Sequence, residues 1–429
     1  MLAPNRQRIE ALDVARGFAL LGIFLVNVEY FARPLGEVIA AGAPDESGPS
    51  LALWWLVETL CEGKFYPLFS LLFGMGLAIQ RERLAAAGGS FGLLMVRRLG
   101  FLATLGLIHG LLLWYGDILF AYSLTGLLVC LVLGTSARFL LVAGVLALAA
   151  SVTFSALMGA LAGVEPAPRE LHSPPIDGAP LEVLWQQLRS SEPGGPEDPY
   201  WRGAETLAYR EGPWLQAQGF RALSFALLLL SMAAGGGLQV LAMFLLGAAM
   251  VRLDLLGERH GWLRRLGLLG LASGLPLALL GTWLTGFRTG VGPHAAAAAL
   301  VAVAGSLLAI GYFGLAEMLA RAGSRCAAIG TLTGLLASAG RMALSNYLLQ
   351  TVIATAVTYH WGLARFGTLD RLERIGLVVV VFAVQLVASR LWLSRLRFGP
   401  LEWVWRSVTY GARQPLRKAA EGAPPDSLP

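Results

Sequence analysis

The sequence predicts an all-α polytopic membrane protein with about ten transmembrane helices and a small cap between the fifth and the sixth. Of its 429 residues, 56% are hydrophobic and 14% are charged, whereas soluble domains average about 45–50% apolar and roughly 25% charged residues. The apolar residues fall in repeated runs of about twenty, the length that crosses a hydrocarbon layer of ~30 Å. A soluble enzyme, a disordered chain and a fibrous protein are therefore excluded.

Ten apolar runs define the predicted spans. They lie near residues 14–33, 65–81, 98–115, 118–135, 138–162, 222–251, 266–287, 295–320, 342–360 and 373–393. One helix through residues 51–64 and the second span would be about 45 Å long, too long to cross without a steep tilt. Gly63 and Pro67 predict a break there, preceded by a short interfacial helix anchored by Trp54 and Trp55.

The basic residues predict the orientation of the chain. If the N-terminus is inside, 21 of the 33 lysines and arginines fall on the inner side of the predicted spans and 11 on the outer side. The positive-inside rule then puts both termini in the cytoplasm. Nearly all of these residues are arginine, a bias typical of GC-rich bacterial genomes, so we expect a multi-pass protein of a bacterial inner (plasma) membrane.

The longest stretch between spans, residues 164–221, is predicted to form a small periplasmic cap. It contains nine acidic residues and five arginines, and residues 181–190 and 201–220 have helical spacing. The predicted units are an N-terminal five-helix half (1–163), the cap (164–221), a C-terminal five-helix half (222–396) and a cytoplasmic tail (397–429).

Polar groups in the first span are candidates for function, because such groups are costly in lipid and usually face a protein interior or water. Arg16 and Asn27 are eleven residues apart, so they share one helix face roughly 16 Å apart. Asp13 lies one turn below Arg16 and could pair with it. Either this is a polar stripe facing a cavity, or Arg16 only sets the topology and Asn27 bonds a neighbouring helix.

The third and fourth spans form a predicted hairpin that contains His109 and Asp117. Of the five histidines, His109 is the one placed well inside a span, and imidazole is suited to acid–base catalysis near neutral pH. Asp117 follows at the turn, where it could orient His109 or hold a cation. The structural alternative is that Asp117 caps the fourth span and that His109 only bonds a neighbouring helix.

Two further polar groups stand out. Glu58 and Glu62 lie one turn apart before the second span, with Lys64 nearby. Either they form a solvated polar face of the helix, or they belong to a binding site. The ninth span opens with several polar residues, including Arg341 and Asn346, which suit either a cavity lining or helix packing.

Five ordered pieces of the chain resemble the YeiB-like family of bacterial membrane proteins (DUF418). They are RIEALDVARGFALLGIFLVN at the start, FYPLFSLLFGMG in the second span, IHGLLLWYGDILFAYSLTG in the hairpin, and GRMALSNYLLQ and RFGPLEWVWRSVTYG near the C-terminus. The resemblance extends along most of the chain and implies a polytopic helical architecture.

This family in turn resembles the transmembrane acyltransferases, which include the bacterial acyltransferase-3 proteins and the lysosomal heparan glucosaminide N-acetyltransferases. The resemblance implies transfer of an acyl group from cytoplasmic acyl-CoA to a glycan, lipid-linked or small-molecule acceptor on the far side, with no permanently bound cofactor. Acyltransferase-3 members carry an arginine, ten residues and a histidine in the first span. Here Arg16 matches the arginine, but Asn27 stands at the histidine position.

If acyl transfer occurs, the missing histidine makes His109 the candidate catalytic base and Asp117 its orienting residue. Arg16 would meet the phosphate or thioester of acyl-CoA near the cytoplasmic mouth, where fixed positive charge helps. The candidate substrate-binding residues are Arg16, Asn27, Glu62, Arg341 and Asn346.

Two other functions fit the same sequence. A transporter or flippase of a small or lipid-like substrate would use the five spans on each side of the cap and the glycine-rich break at 235–237. A non-catalytic membrane component would bind lipid or a partner subunit. The lipid bilayer is the expected environment, a homodimer is left open, and no nucleic-acid signature occurs. Three scattered cysteines without CxxC spacing predict no metal site.

Overall fold

Helices form most of the backbone that the structure describes. The computed structural model describes residues 6–39, 44, 46–164, 182, 198–257, 259–287 and 289–418. Within these ranges one isolated bridge, between Leu396 and Arg417, is the only β-pairing, and the predicted all-α class is confirmed. The α-helices are α1 (Arg6–Ala32), α2 (Leu35–Ile39), α3 (Gly48–Leu60), α4 (Phe65–Ala86), α5 (Phe91–Ile108), α6 (Leu119–Val132), α7 (Ala137–Ala162), α8 (Pro199–Glu211), α9 (Trp214–Ser231), α10 (Gly237–Arg252), α11 (His260–Phe287), α12 (Val291–Gly323), α13 (Ala327–Arg341), α14 (Ala343–Thr358), α15 (Arg371–Arg395) and α16 (Pro400–Tyr410).

Seven helical segments of the described chain are long and apolar enough to cross a membrane, as expected for a multi-pass membrane protein. The number rises to eight if α13 and α14, which are bent by 81° at their junction, count as one broken span. The other two predicted spans correspond to α4 and to α6, and α6 has only 14 residues, about 21 Å of helix. The predicted count of about ten is therefore not confirmed.

Large apolar side chains cover the outside of the bundle. Leu131 on α6 is 81% exposed, and Leu146 on α7 and Leu230 on α9 are each 65% exposed. Side chains of this size are rarely left in water in such numbers on one surface. A surface of this kind faces lipid.

One end of the bundle, here called the basic end, is defined by Arg16, Arg98, Arg341 and Arg397. Arg341 donates from Nη2 to the carbonyl of Arg397 (3.2 Å), and Trp405 of α16 donates from Nε1 to the carbonyl of Arg98 (2.8 Å). The first turns of α1 also lie here, because α13 packs against them close to Arg341. The start of α1 and the last helix, α16, therefore share the basic end.

The opposite end, here called the cap end, is formed by α8 and by the connection between α14 and α15. The Tyr209 ring of α8 stacks on Tyr359 with ring centroids 4.5 Å apart. The predicted helical stretch 201–220 is confirmed as α8 and the first turns of α9. The predicted helix at 181–190 lies outside the described residues, except for Glu182.

The predicted break before the second span is confirmed, but the helix before it does not lie along the interface. α3 ends at Leu60, α4 begins at Phe65, and Gly63 between them has a φ of 72°. The carbonyl of Gly63 lies against Gly305 of α12, fourteen residues or about 21 Å from the cap end of that helix. The 13 residues of α3 span a similar distance, about 20 Å. α3 therefore descends from the cap end to mid-height, and the interfacial prediction is wrong.

A second irregularity separates α9 from α10. The turn Met232–Gly236 is π-helical, and Gly235 has a φ of 151°, a conformation that glycine adopts at low steric cost. A Cβ atom on Gly235 would come within 2.5 Å of the Phe154 ring. The glycine-rich stretch is thus an irregular point in a long helical path from the cap end to Arg252 at the basic end.

Candidate functional site

The centre of the candidate site is a buried chain of three polar side chains. His109 Nδ1 lies 2.8 Å from Asp117 Oδ2, and His109 Nε2 lies 3.0 Å from Thr351 Oγ1. His109 and Asp117 are each 1% exposed and Thr351 is fully buried. In the neutral imidazole, Nδ1–H donates to the carboxylate and Nε2 accepts from the Thr351 hydroxyl. The arrangement is that of a base held by a carboxylate and directed at a hydroxyl.

The hairpin after α5 brings His109 and Asp117 together. α5 passes into the π-helical turn His109–Leu113, and α6 begins only at Leu119. Gly106 allows the close approach, because a Cβ atom there would lie 2.4 Å from the Phe120 nitrogen and 2.7 Å from Asp117 Oδ1. In this closely packed hairpin, one carboxylate oxygen of Asp117 lies next to the Phe120 nitrogen and the other lies next to His109.

Asp117 serves two roles that the sequence analysis treated as alternatives. Its Oδ1 accepts from the backbone N–H of Phe120 at 2.8 Å and caps the start of α6, while Oδ2 faces His109. Likewise, His109 bonds a neighbouring helix through Thr351 of α14. The contacts expected for a structural role and those expected for a catalytic pair are thus made by the same two side chains.

Aromatic rings enclose the imidazole. The ring centroid of Tyr347, one turn before Thr351 on α14, lies 5.3 Å from that of His109, and the Trp114 centroid lies 6.2 Å away. Trp114 in turn packs on Phe31 of α1 at 4.2 Å. These rings exclude water from His109 and strengthen its polar contacts.

A cavity of about 90 Å³ lies next to this cluster. Gly116 and Ile118, which flank Asp117, contribute to its wall, as does Tyr347. The remaining lining residues come from α1 and from the turn between α3 and α4; they are Ile23, Val26, Asn27, Cys61, Glu62, Gly63, Phe65 and Tyr66. Of the predicted substrate-binding residues, Asn27 and Glu62 therefore face the same cavity beside the His109–Asp117 pair.

The side of the cavity formed by Tyr66 is held by hydrogen bonds. The Tyr66 hydroxyl donates to Gln239 Oε1, whose amide Nε2 donates to the carbonyl of Ala302 (3.0 Å) and to Ser306 Oγ (3.0 Å). Lys64, which is fully buried, donates from Nζ to the carbonyl of Glu58 at 2.7 Å. Charged and polar groups therefore converge at mid-height, where α3 stops and α4 starts.

Arg16 and Arg341 lie at the basic end and do not reach the cavity. Arg16 pairs with Asp13 at 3.0 Å, as the sequence suggested, and its side chain remains 32% exposed. Asn346 is directed elsewhere: Nδ2 donates to the carbonyl of Ala339 (3.1 Å) and to Ser389 Oγ (3.0 Å). Its contacts join α13, α14 and α15.

Sequence reasoning missed Tyr347 and Thr351. Both lie in the ninth predicted span, close to the polar residues that were singled out there. Threonine carries little signal in a helix, because its hydroxyl often bonds a carbonyl of its own helix, as Thr355 does with Thr351 at 2.7 Å.

Among the described residues, no group of three or more His, Cys, Asp and Glu side chains is placed to hold a metal ion.

Comparison with known proteins shows the family to which the chain belongs. Residues 250–412 match the family described as "Protein of unknown function (DUF418)". The chain is 31% identical to YeiB of Escherichia coli (strain K12) in an alignment that covers 95% of this chain and 98% of YeiB. The chain belongs to the YeiB-like DUF418 family.

Other relatives of this DUF418 protein are similar over almost their whole length. YxaH of Bacillus subtilis (strain 168) is 29% identical, with 96% of this chain and 97% of YxaH covered. A 39.9 kDa protein of Bacillus acidopullulyticus, from the 3' region of an amylase gene, is 27% identical, with 97% of this chain and 98% of the relative covered. All three relatives are described as uncharacterized.

Proposed function

We propose that this DUF418 protein is a membrane-embedded acyltransferase. It moves an acyl group from acyl-CoA at the basic end to a glycan, lipid-linked or small-molecule acceptor at the cap end. The observation that supports the proposal is the buried His109, held at Nδ1 by Asp117 and directed through Nε2 at a hydroxyl. Under the positive-inside rule, the basic end faces the cytoplasm and the cap end the periplasm.

The proposed reaction uses His109 as base and then as acid. The acceptor replaces Thr351 as the partner of Nε2, gives its proton to Nε2 and attacks the thioester carbonyl. The carbonyl–sulfur bond breaks, and the leaving thiolate takes the proton from His109. Asp117 stabilises the imidazolium formed between the two steps, as carboxylates do in such pairs.

The basic end supports binding of the donor. Arg16 is partly exposed there, and fixed guanidinium groups suit the phosphates of CoA. Arg341 lies at the same end, within electrostatic range of Asp13. Arg16 and Asn27 are roughly 16 Å apart along α1, so one donor molecule could extend from the basic end toward the cavity.

The test is acyl transfer by the purified protein in lipid nanodiscs, with labelled acyl-CoA and bacterial lipid and glycan extracts. We expect His109→Ala to lower the rate by about 10²–10⁴-fold, the usual contribution of a general base. His294→Ala is the matched control, because the only hydrogen bond of its side chain to a described residue is with the carbonyl of Gly290, just before α12 (2.8 Å). Equal labelling by wild type and His109→Ala would contradict the assignment of His109.

A carrier function is the second candidate, and the interrupted helical path at mid-height favours it. Carriers place broken helices and ionisable groups near the middle of the membrane, as α3, α4 and Lys64 do here. The two functions differ in their response to CoA. An acyltransferase is stabilised against heat by CoA, since a ligand that binds the folded state raises its stability; a carrier of another substrate is not.

A further inference from the structure

The cavity beside Tyr347 contains two polar side chains that no described residue satisfies. The Glu62 carboxylate and the Asn27 amide both line it, and neither makes a hydrogen bond or an ion pair within the described chain. Glu62 lies in the mid-height turn at Gly63, and Asn27 lies in the last turns of α1, five residues before its end at Ala32. An ionised carboxylate at such a depth needs a positive partner, because its desolvation is otherwise uncompensated.

The charges around the cavity leave one carboxylate in excess. Glu58 and Glu62 share a single lysine, Lys64, whose ammonium group donates to the Glu58 carbonyl. Three arginines near the cap end have carboxylates of their own: Arg371 pairs with Glu29 and Glu46, Arg374 with Glu29, and Arg33 with Glu29 and Glu37. Arg371 is also within electrostatic range of Glu58. These three arginines are balanced by Glu29, Glu37 and Glu46, so the carboxylates of Glu58 and Glu62 and the single ammonium of Lys64 leave one negative charge, which a cation in the cavity would offset.

The walls suit an organic cation better than a metal ion. Calcium takes six to eight oxygen ligands and magnesium an octahedral set of six, whereas the cavity offers the carboxylate of Glu62, the amide of Asn27 and a few hydroxyl or carbonyl oxygens. The rest of the wall includes Phe65, Tyr66 and Tyr347. Aromatic faces attract ammonium groups.

The volume limits the size of the cation. The cavity measures about 90 Å³, well below the ~150 Å³ of a cavity that holds benzene and the ~300 Å³ at which ordinary ligand pockets begin. It accommodates an ammonium group with a short carbon stem. A whole sugar or lipid headgroup is too large for it.

We propose that this cavity binds the primary ammonium group of an organic amine, with Glu62 as its counter-ion. Asn27 Oδ1 accepts one ammonium hydrogen, and the faces of Tyr66 and Tyr347 enclose the stem. The site adjoins Asp117 through Gly116 and Ile118. The inference does not depend on acyl transfer, since a carrier for amines would use the same contacts.

The test measures the thermal stability of the purified protein in detergent at constant pH and ionic strength, with n-propylammonium chloride as the probe. We expect a saturable rise in melting temperature, and an affinity at least tenfold lower in Glu62→Gln. Glu211→Gln is the matched control: it removes an exposed carboxylate that does not line the cavity and is not part of the local charge sum. Its affinity should stay within about twofold to threefold of wild type.

Three further arms define the chemistry of the ligand. Sodium chloride and n-propanol should not reproduce the shift, and tetrabutylammonium, which is too large, should not bind. If Glu62→Gln fails to fold, Asn27→Ala is measured in its place and should also weaken binding. The proposal is overturned if propylammonium gives no saturable shift, if sodium or propanol gives an equal one, or if Glu211→Gln and Glu62→Gln lose affinity alike.

Discussion

At the scale of single residues, Glu205 shows what burial does to a carboxyl group at the cap end. Its side chain is fully buried in α8, and Oε2 accepts from the backbone N–H of Leu35 at 3.1 Å while Oε1 has no partner. Burial raises the pKa of Glu205 from 4.5 to about 8, because the charged form loses its hydration. Near neutral pH the group is therefore a neutral acid that links α8 to α2.

This carboxyl group makes the docking of the cap depend on pH. Between pH 4.5 and about 8 the folded protein keeps a proton on Glu205 that the unfolded chain releases, so stability falls as the pH rises through this window. Each unit of pKa difference corresponds to about 1.4 kcal/mol. We expect the wild-type melting temperature to fall from pH 5 to pH 8.5.

Glu205→Gln is the variant that isolates this effect. Its neutral amide can still accept from Leu35, so its melting temperature should change less over the same range. Glu211→Gln is the control, since that side chain is 62% exposed. Parallel pH profiles for wild type and Glu205→Gln would show that another group causes the dependence.

Some of the candidate site was predictable from single residues, and some was not. His109 and Asp117 were identifiable because a histidine and an aspartate interrupt an otherwise apolar hairpin. Thr351 was not, because it is 242 positions from His109 in sequence and contacts it only through the packing of α14 on the hairpin. Asn27 and Glu62 each stood out as polar groups, but only the folded chain brings them to one cavity.

At the scale of helices, α14 depends on a cap supplied from outside itself. Glu402 of α16 accepts from the backbone N–H groups of Leu344 (2.8 Å) and Ser345 (3.0 Å) and from Ser345 Oγ (2.6 Å). The first N–H groups of a helix have no partner within it. Glu402 thus holds the start of the helix that carries Tyr347 and Thr351.

Replacing this cap should loosen the first turn of α14. We expect Glu402→Ala to lower stability by about 1–2 kcal/mol, the usual cost of losing a helix cap, and to speed hydrogen exchange of the amides at 344–347. Exchange in α7, measured in the same sample, serves as the internal control. Unchanged exchange at 344–347 would show that the cap does not limit opening of this turn.

The depth of α3 in the bundle differs from the predicted one because of contacts between helices. Trp54 and Trp55 suggested an interfacial helix, because tryptophan favours that depth. In the structure Trp55 stacks on Phe287 of α11 with ring centroids 5.7 Å apart, and Thr59 bonds Thr282 of the same helix. Helix periodicity identified the element, but contacts with a helix more than 200 residues away set its depth.

At the scale of the whole molecule, the two predicted halves are closely packed against each other. Gly74 of α4 faces the backbone of Phe244, and Gly247 of α10 faces the carbonyl of Leu71, where an added Cβ atom would lie 2.1 Å from the oxygen in each case. Small residues permit such close approach of membrane helices. The division into domains at residues 163 and 222 remains a prediction. Helices from the two sides of this division pack directly against each other.

A larger side chain at this contact should separate α4 from α10. We expect Gly247→Val to destabilise the protein by at least about 1–3 kcal/mol, the usual cost of overpacking, seen as a lower melting temperature and a lower yield of monodisperse protein. Gly92→Val is the matched control, because a Cβ atom on Gly92 meets no other atom within 4 Å. Equal losses in both variants would indicate a general cost of replacing glycine in a helix.

The position of Glu402 in the chain has a consequence for biosynthesis. The ribosome makes residue 402 after every membrane helix, including α14, has already been synthesised. During translation, therefore, the start of α14 emerges with its first amide groups unpaired, and they gain their partner only when α16 arrives. A chain that stops before Pro400 would insert all of its membrane helices and still lack the last hydrogen bonds that order the helix bearing Thr351. The cap of the helix that carries Thr351 is thus completed only after the described membrane helices have all been made.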